Sequence, residues 1–183
     1  MKIAIYGSRR QYGAFAEVSA FLKVLAGRGD SVFMHHKLYR HLHDEIPEAL
    51  GGVVCVEAVE SVEADLAVSL GGDGTFLRTA QWLAPQQVPV VGVNTGHLGY
   101  LTALTIAQLP ELPELIAGDY LRIERRSLLR VTSPELPPEV GMYALNEVAI
   151  SKEESASMIN AEVSLGETPL ADYRADGLIV CTS

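Results

Sequence analysis

Apolar residues in the first hundred positions fall into short runs that alternate with segments of helical periodicity. Residues 1–7 and 65–70 are short apolar runs bounded by glycine or polar residues, a pattern typical of buried strands. Between them, four apolar residues recur at the spacing of one helix face: Phe15, Val18, Leu22 and Leu25. This spacing predicts a helix that ends at Gly27 and Gly29.

The alternation continues towards residue 100. Further strands are predicted at residues 31–35, 53–56 and 88–93. A weaker helix has Leu38, Leu42 and Ile46 on one face, and another helix is predicted over residues 75–84, before Pro85. Strands that alternate with helices predict a mostly parallel sheet covered by helices on both faces.

The pattern changes near Tyr100. One more helix is predicted within residues 109–117, and after Asp119 strand signals dominate. These strands are predicted at residues 121–133, 144–151, 158–165 and 177–181, with turn-rich segments between them. Such a series indicates an antiparallel meander. The predicted fold class is therefore α/β, with a Rossmann-like parallel sheet and helices over residues 1–102. The start of a β-rich, sandwich-like second domain follows over residues 103–183.

Composition narrows the range of partners and locations. The formal net charge is −9, which disfavours nucleic acid and anionic membranes because both are polyanions. The N-terminal apolar run is too short and too soon interrupted to be a signal peptide, and no apolar stretch is long enough to span a bilayer. We therefore expect a cytoplasmic protein that binds neither nucleic acid nor membrane.

Cysteine and histidine suggest no metal site. Cys55 and Cys181 lack metal-ligand or redox spacing and are interpreted as buried or incidental thiols. No carboxylate or cysteine completes a ligand set around the clustered histidines, which we interpret as surface residues. These histidines are His35, His36, His41 and His43.

The segment GGDGT, residues 71–75, lies between a predicted buried strand and a helix. Glycines let the backbone approach a ligand closely, and a helix start offers free N–H groups that suit a phosphate. The segment is not a P-loop, because no Gly-Lys-Ser/Thr follows. Asp73 would be repelled by phosphates unless it holds a metal or accepts a proton, which favours phosphoryl-transfer chemistry. The alternative is a tight turn in which Asp73 is the helix N-cap.

Three further segments carry candidate polar residues. Residues 92–100 follow the next strand, so this loop and GGDGT should meet at the carboxyl edge of the sheet, although a glycine-rich crossover explains the loop equally well. The Asn-Glu pair at 146–147 is by itself more typical of solvated surface. The Arg174 and Asp176 pair is by itself more typical of a turn salt bridge.

Taken together and in this order, the four segments resemble the signatures of the NAD kinase family. They are GGDGT, NTGHLGYL, ALNEVAI and YRADGLIV. GGDG alone is shared with lipid kinases and phosphofructokinases, whereas the other three are more specific. The resemblance implies an α/β domain followed by a β-rich domain, and transfer of the γ-phosphoryl of ATP to the 2′-hydroxyl of the adenosine ribose of NAD. It also implies a divalent cation such as Mg²⁺ and a homo-oligomer, either a dimer or a tetramer.

The resemblance also implies roles for individual residues. Asp73 corresponds to the acceptor of the ribose 2′-hydroxyl proton, Asp176 to the contact with the nicotinamide amide, and Arg174 to a basic position near a phosphate. Asn146 and Glu147 correspond to a pair that binds NAD. The implied binding residues are Gly71, Gly72, Asp73, Gly74, Arg78, Asn94, His97, Tyr100, Asn146, Glu147, Arg174 and Asp176.

Two features depart from the family pattern. Ser157 stands where a basic residue is common, which puts any phosphate contact there in doubt. The sequence also ends where the family continues with a further NAD-lining segment, so we expect these 183 residues to be a fragment with little or no activity alone. Two alternatives remain: a lipid or sugar kinase that shares GGDG, and a non-catalytic dinucleotide-binding module.

Overall fold

The computed structural model describes residues 1–7, 14–57, 63–96, 99–135, 143–153 and 157–182. The chain divides into two compact units, Met1–Arg125 and Arg126–Ser183. The domain boundary predicted between residues 102 and 103 lies just before the last strand of the first unit. As a division between two domains of the chain, it stays a prediction. None of the described helices is long and apolar enough to cross a membrane.

The first unit is built on a parallel sheet. Its described strands are β1 (Lys2–Gly7), β2 (Ser31–His35), β3 (Val53–Val56), β4 (Leu66–Leu70), β5 (Val90–Asn94) and β6 (Leu104–Thr105). Their order is β3-β2-β1-β4-β5-β6, and every neighbouring pair is parallel. The chain proceeds outward from β1 on one side and from β4 on the other. The boundary between β1 and β4 is therefore the topological switch point of the sheet.

Helices connect these strands. They are α1 (Phe15–Arg28), α2 (His36–Glu45), α3 (Asp73–Leu83) and α4 (Leu112–Ala117), with 3₁₀ helices at Pro47–Leu50, Ala84–Gln86 and Ile106–Glu111. Gly29 ends α1 in the left-handed conformation, at a φ of 73°, and its N–H donates to the carbonyls of Leu25 and Ala26. Pro85 lies two residues after the end of α3, within the 3₁₀ turn that ends this helical segment.

The sheet buries apolar side chains on both faces. Ile5, Val68 and Leu70 point into a core shared with Phe21 and Leu25 of α1. The alternate positions Ala4 and Ala67 form a smaller second core with Val56 of β3 and Leu83 of α3. Burial on both faces explains why β1 and β4 are continuous apolar runs rather than alternating ones.

The second unit consists of antiparallel strand pairs. Its described strands are β7 (Leu129–Arg130), β8 (Tyr143–Ala144), β9 (Glu147–Ser151), β10 (Ile159–Leu165), β11 (Thr168–Ala175) and β12 (Gly177–Cys181). The pairs are β7 with β8, β9 with β12, and β10 with β11. The predicted fold class is thus confirmed: a Rossmann-like parallel sheet with helices, followed by antiparallel strands.

Several predicted element boundaries were wrong. The strand predicted over residues 121–133 is reduced to Leu129–Arg130, because the residues before it are charged and largely exposed and pair with no strand among the described residues. The strand predicted over residues 144–151 is interrupted by a bend at 145–146. Strand β11 was missed, since its sequence has no regular apolar alternation.

Candidate functional site

The glycine turn lies between β4 and α3, beside the topological switch point. Gly72 is the N-cap of α3 and Asp73 is its first helical residue, so the alternative that Asp73 is the N-cap was wrong. Gly71 has a φ of +148°, a conformation that favours glycine. Its N–H donates to the carbonyl of Val93 at 3.0 Å, which ties the turn to the end of β5.

The carboxylate of Asp73 joins this turn to the loop that follows β5. Its Oδ2 accepts the N–H of Tyr100 and its Oδ1 accepts the N–H of Leu101, each at 2.9 Å. A carboxylate offers about four lone-pair directions, so each oxygen retains one for a further partner. Asp73 is half-buried and therefore still accessible to a ligand. The structure brings the two predicted loops together at the carboxyl edge of the sheet.

Asn94 is buried at the end of β5 and organises the second loop. Its Oδ1 accepts the N–H of Gly96 at 2.7 Å, and its Nδ2 donates to Oγ1 of Thr102 at 3.3 Å. Asn94 is only 4% exposed, and these two hydrogen bonds hold the loop in shape. Gly92 precedes it in the strand, and a Cβ there would lie 2.9 Å from the carbonyl oxygen of Leu101. This close backbone approach brings the loop against β5.

The other predicted site residues of the first unit lie at the surface or outside the described residues. Arg78 is exposed on α3, and Tyr100 is fully exposed, with a relative accessibility of 100%. His97 lies outside the described residues. Sequence reasoning missed Leu101 and Gly99 as neighbours of Asp73, although the glycine pattern of the loop was a signal for close approach.

In the second unit, the predicted residues lie near the ends of strands. Asn146 is exposed in the bend before β9, and its carbonyl accepts the N–H of Thr182 at 2.9 Å. Glu147 begins β9 and is opposite Cys181. The backbone pairing leaves both the Asn146 and the Glu147 side chains exposed.

The predicted Arg174 and Asp176 pair is not a salt bridge. Asp176 lies between β11 and β12, and its Oδ1 is 2.6 Å from Nζ of Lys152. Arg174 is exposed on β11, opposite Asn160. The carboxylate of Asp176, at the bend between the two strands, is thus paired with Lys152 and not with Arg174. Ser157 is exposed just before β10.

Histidine burial corrects another expectation. His35 is 7% exposed, and its ring lies 4.6 Å from that of Tyr6, 4.4 Å from that of His36 and 5.3 Å from that of Trp82. Burial, with smaller contributions from the charges of His36 and Lys37, lowers the pKa of His35 from 6.5 to about 4. Within the described ranges, no group of three or more His, Cys, Asp or Glu side chains could hold a metal ion.

The low pKa of His35 predicts acid-sensitive folding. Between pH 6.5 and 4 the unfolded chain binds a proton at His35 that the folded chain does not, so stability falls as the pH falls through this window. We expect a loss of about 2 kcal/mol in the free energy of unfolding between pH 7 and pH 5. Urea unfolding at both pH values measures it. His35→Phe should remove most of this pH dependence, whereas His43→Gln, at an exposed position, should retain it. An unchanged pH dependence in His35→Phe contradicts the assignment.

Comparisons with known proteins identify one family. Residues 24–120 match the model of the ATP-NAD kinase N-terminal domain. The NAD kinase of Porphyromonas gingivalis is 40% identical over 184 residues, which cover 99% of this chain and 62% of that relative. The NAD kinase of Bacteroides fragilis is 31% identical over 182 residues, covering 100% of this chain and 62% of the relative. The chain thus spans about three fifths of the length of these relatives.

Two solved structures share the fold. Yeast NADH kinase, complexed with NADH, aligns with a TM-score of 0.79 at 17% identity, over 100% of this chain and 57% of that one. An NAD kinase from Archaeoglobus fulgidus in complex with ATP aligns with a TM-score of 0.63 at 23% identity, over 99% of this chain and 60% of that one. At these identities the likeness concerns the fold.

Proposed function

Because this chain belongs to the ATP-NAD kinase family, we propose that it transfers the γ-phosphoryl of ATP to the 2′-hydroxyl of the adenosine ribose of NAD, giving NADP. The observation that carries the proposal is the position of Asp73. Its carboxylate stands at the start of α3, inside a glycine turn at the carboxyl edge of a parallel sheet, and two backbone amides hold it in place.

Asp73 is proposed as the proton acceptor. The amides of Tyr100 and Leu101 restrict the rotation of its carboxylate, and each oxygen retains a lone pair for the ribose hydroxyl. A positioned base that accepts a proton in the transition state typically contributes about 10²–10⁴-fold to the rate. No covalent intermediate is needed, because phosphoryl transfer depends mainly on positioning and electrostatic stabilisation.

The glycine turn is proposed as the phosphate cradle. A Cβ at Gly72 or Gly74 would meet no atom within 4 Å, and both residues are exposed, so the turn is open to a ligand. A helix start offers N–H groups that have no carbonyl four residues before them, and it carries the positive end of the helix dipole. Both features favour phosphate oxygens over other ligands.

The proposed divalent cation fits this site as part of the nucleotide complex. Mg²⁺ in kinase sites is held by one or two carboxylates together with phosphates and water, not by an all-protein cage. Asp73 is the carboxylate that the described residues place at the turn, and its spare lone pairs suit such a role. When bound, the cation would neutralise charge on the transferring phosphoryl group.

The second unit is proposed to bind NAD. Asn146 and Glu147 would hold ribose hydroxyls or the adenine side, Asp176 the nicotinamide amide, and Arg174 a phosphate. The Asp176 side chain is 75% exposed despite its contact with Lys152, so a ligand can reach it. In the first unit, the proposed binding residues stay His97, Tyr100, Arg78 and Asn94.

Asn146→Ala and Glu147→Ala are expected to weaken NAD binding more than ATP binding. Loss of one partner of a buried ligand hydrogen bond costs about 1–3 kcal/mol, or more when the group is charged. Folding should survive, since the Asn146 carbonyl, not its side chain, pairs with Thr182. Calorimetric titration with each nucleotide measures the effect, and Glu162→Ala, an exposed carboxylate on β10, is the control. Equal losses for NAD and ATP would indicate a general folding defect instead.

NADP formation is the test of the proposed reaction. Because the chain spans 62% of the P. gingivalis enzyme, the assay uses both the chain itself and a chimera in which it replaces the matching segment of that enzyme. We expect the chimera to form NADP from NAD with ATP and Mg²⁺. Phosphorylation of a diacylglycerol or a sugar phosphate instead would favour the lipid or sugar kinase. Nucleotide binding without turnover would favour a non-catalytic module.

A homo-oligomer, either a dimer or a tetramer, is also proposed. Several large apolar side chains of the second unit are exposed, including Ile150, Ile179 and Val180 on the paired strands β9 and β12. Exposed apolar groups of this kind are often covered by a partner. Light scattering coupled to size-exclusion chromatography measures the mass, and a monomer at micromolar concentration would contradict the proposal.

A further inference from the structure

Gly99 lies against the carboxylate that the proposed reaction depends on. A Cβ built on Gly99 would lie 2.7 Å from Cγ of Asp73, 3.0 Å from its Oδ2 and closer still to its Oδ1. Real Cβ atoms do not approach other atoms so closely, and therefore a side chain at position 99 and the observed carboxylate position exclude each other.

The requirement for glycine here is one of space and not of backbone conformation. Gly71 has a φ in the range that L-residues rarely adopt, but Gly99 does not. Any small residue could therefore take the backbone conformation of Gly99. What prevents it is the carboxylate, which occupies the volume where Cβ would be.

From this geometry we propose that Gly99 is a positioning residue for Asp73. The absence of a side chain at position 99 lets the carboxylate reach the N–H groups of the next two residues, Tyr100 and Leu101. The glycine thereby fixes the direction in which the free lone pairs of Asp73 point. The catalytic consequence rests on the proposed function, whereas the positioning itself does not.

Gly99→Ala should displace the carboxylate and leave the fold in place. The atoms that the new methyl group meets are the end of a rotatable side chain, which can turn away, and not backbone. When it turns, the amides of Tyr100 and Leu101 lose their acceptor. The variant is therefore expected to fold, with faster exchange of these two amide hydrogens.

Amide hydrogen exchange followed by NMR on the 183-residue chain tests the proposal. We expect Gly99→Ala to raise the exchange rates of Tyr100 and Leu101 at least tenfold, to the rates seen in Asp73→Ala. In the Asp73→Ala background, Gly99→Ala should not raise these exchange rates further, because the carboxylate that it displaces is gone. If Gly99 had only a structural role, Gly99→Ala would change the exchange rates equally in both backgrounds. Gly96→Ala, in the same loop, is the control, since its Cβ would meet no atom within 4 Å.

The kinetic measurement uses the chimera. Gly99→Ala should lower kcat for NADP formation by about tenfold to a hundredfold, with a smaller change in KM for NAD, because a 1 Å misplacement of a catalytic group can cost 10²-fold. A wild-type chimera that makes no NADP would refute the proposed function, and the exchange data would still decide the positioning role.

Three results would overturn the positioning role. One is unchanged exchange of Tyr100 and Leu101 in Gly99→Ala. Another is an equal effect of Gly99→Ala with and without the Asp73 carboxylate. The third is an unfolded Gly99→Ala chain that Asp73→Ala does not restore, since removal of the carboxylate should relieve its overlaps with the new Cβ.

Discussion

Asp73→Asn is expected to lower kcat for NADP formation by about 10²–10⁴-fold. The amide cannot accept the proton of the ribose hydroxyl. It also offers an NH₂ group where one backbone N–H needs an acceptor, so it can keep only one of the two bonds to Tyr100 and Leu101. Because both effects concern proton transfer and the position of the side chain, the affinity for NAD should fall less than kcat.

The measurement is steady-state kinetics of the chimera together with a thermal unfolding curve. Asp172→Asn, at an exposed position on β11, is the matched control and should retain turnover. Near-normal kcat in a folded Asp73→Asn enzyme would show that this carboxylate is not the proton acceptor.

Gly71→Ala is expected to destabilise the first unit by about 2–6 kcal/mol. A φ of +148° costs a residue with a side chain about 1–3 kcal/mol. The new Cβ would also overlap the side chain of Thr75, which is 8% exposed, and overpacking of a buried site costs about 1–3 kcal/mol more. The N–H of Gly71 bonds to Val93, so a shift here would also disturb the end of β5.

Gly72→Ala provides the comparison within the same turn. Gly72 has a φ of −88°, and a Cβ there would meet no atom within 4 Å. Urea unfolding should therefore separate the two variants. Gly72→Ala is expected to cost only about 1 kcal/mol, the typical loss when alanine replaces a favoured N-cap residue. Equal stability of the two variants would show that the strain at Gly71 is not important.

Much of the first unit could be predicted from the sequence because its signals are local. Continuous apolar runs such as residues 65–70 identify buried parallel strands, and the glycines after them identify the turns. From this alone, GGDGT and the loop after β5 were predicted to share the carboxyl edge of the sheet. The hydrogen bonds between Asp73 and that loop confirm this prediction.

The contacts that decide the site depend on the folded arrangement. The predicted start of α3 was two residues late, because glycine and aspartate are poor helix formers except at helix ends. No local pattern indicates that the Asp73 carboxylate would turn towards Tyr100 and Leu101. Nor does one indicate that Gly99 would make room for it. The strand β11 forms because β10 supplies its hydrogen-bonding partner, a contact that its own irregular apolar pattern does not indicate.

Single-turnover transfer of ³²P from [γ-³²P]ATP tests the central claim most directly, that Asp73 promotes phosphorylation of NAD at the 2′-hydroxyl. The chimera is mixed in excess over NAD, quenched at successive times, and the labelled product is digested to locate its phosphate. We predict that the label appears on the 2′ position of the adenosine ribose, about 10²–10⁴-fold more slowly with Asp73→Asn at saturating nucleotide. Transfer to another position, or transfer at the same rate without the carboxylate, would contradict the account.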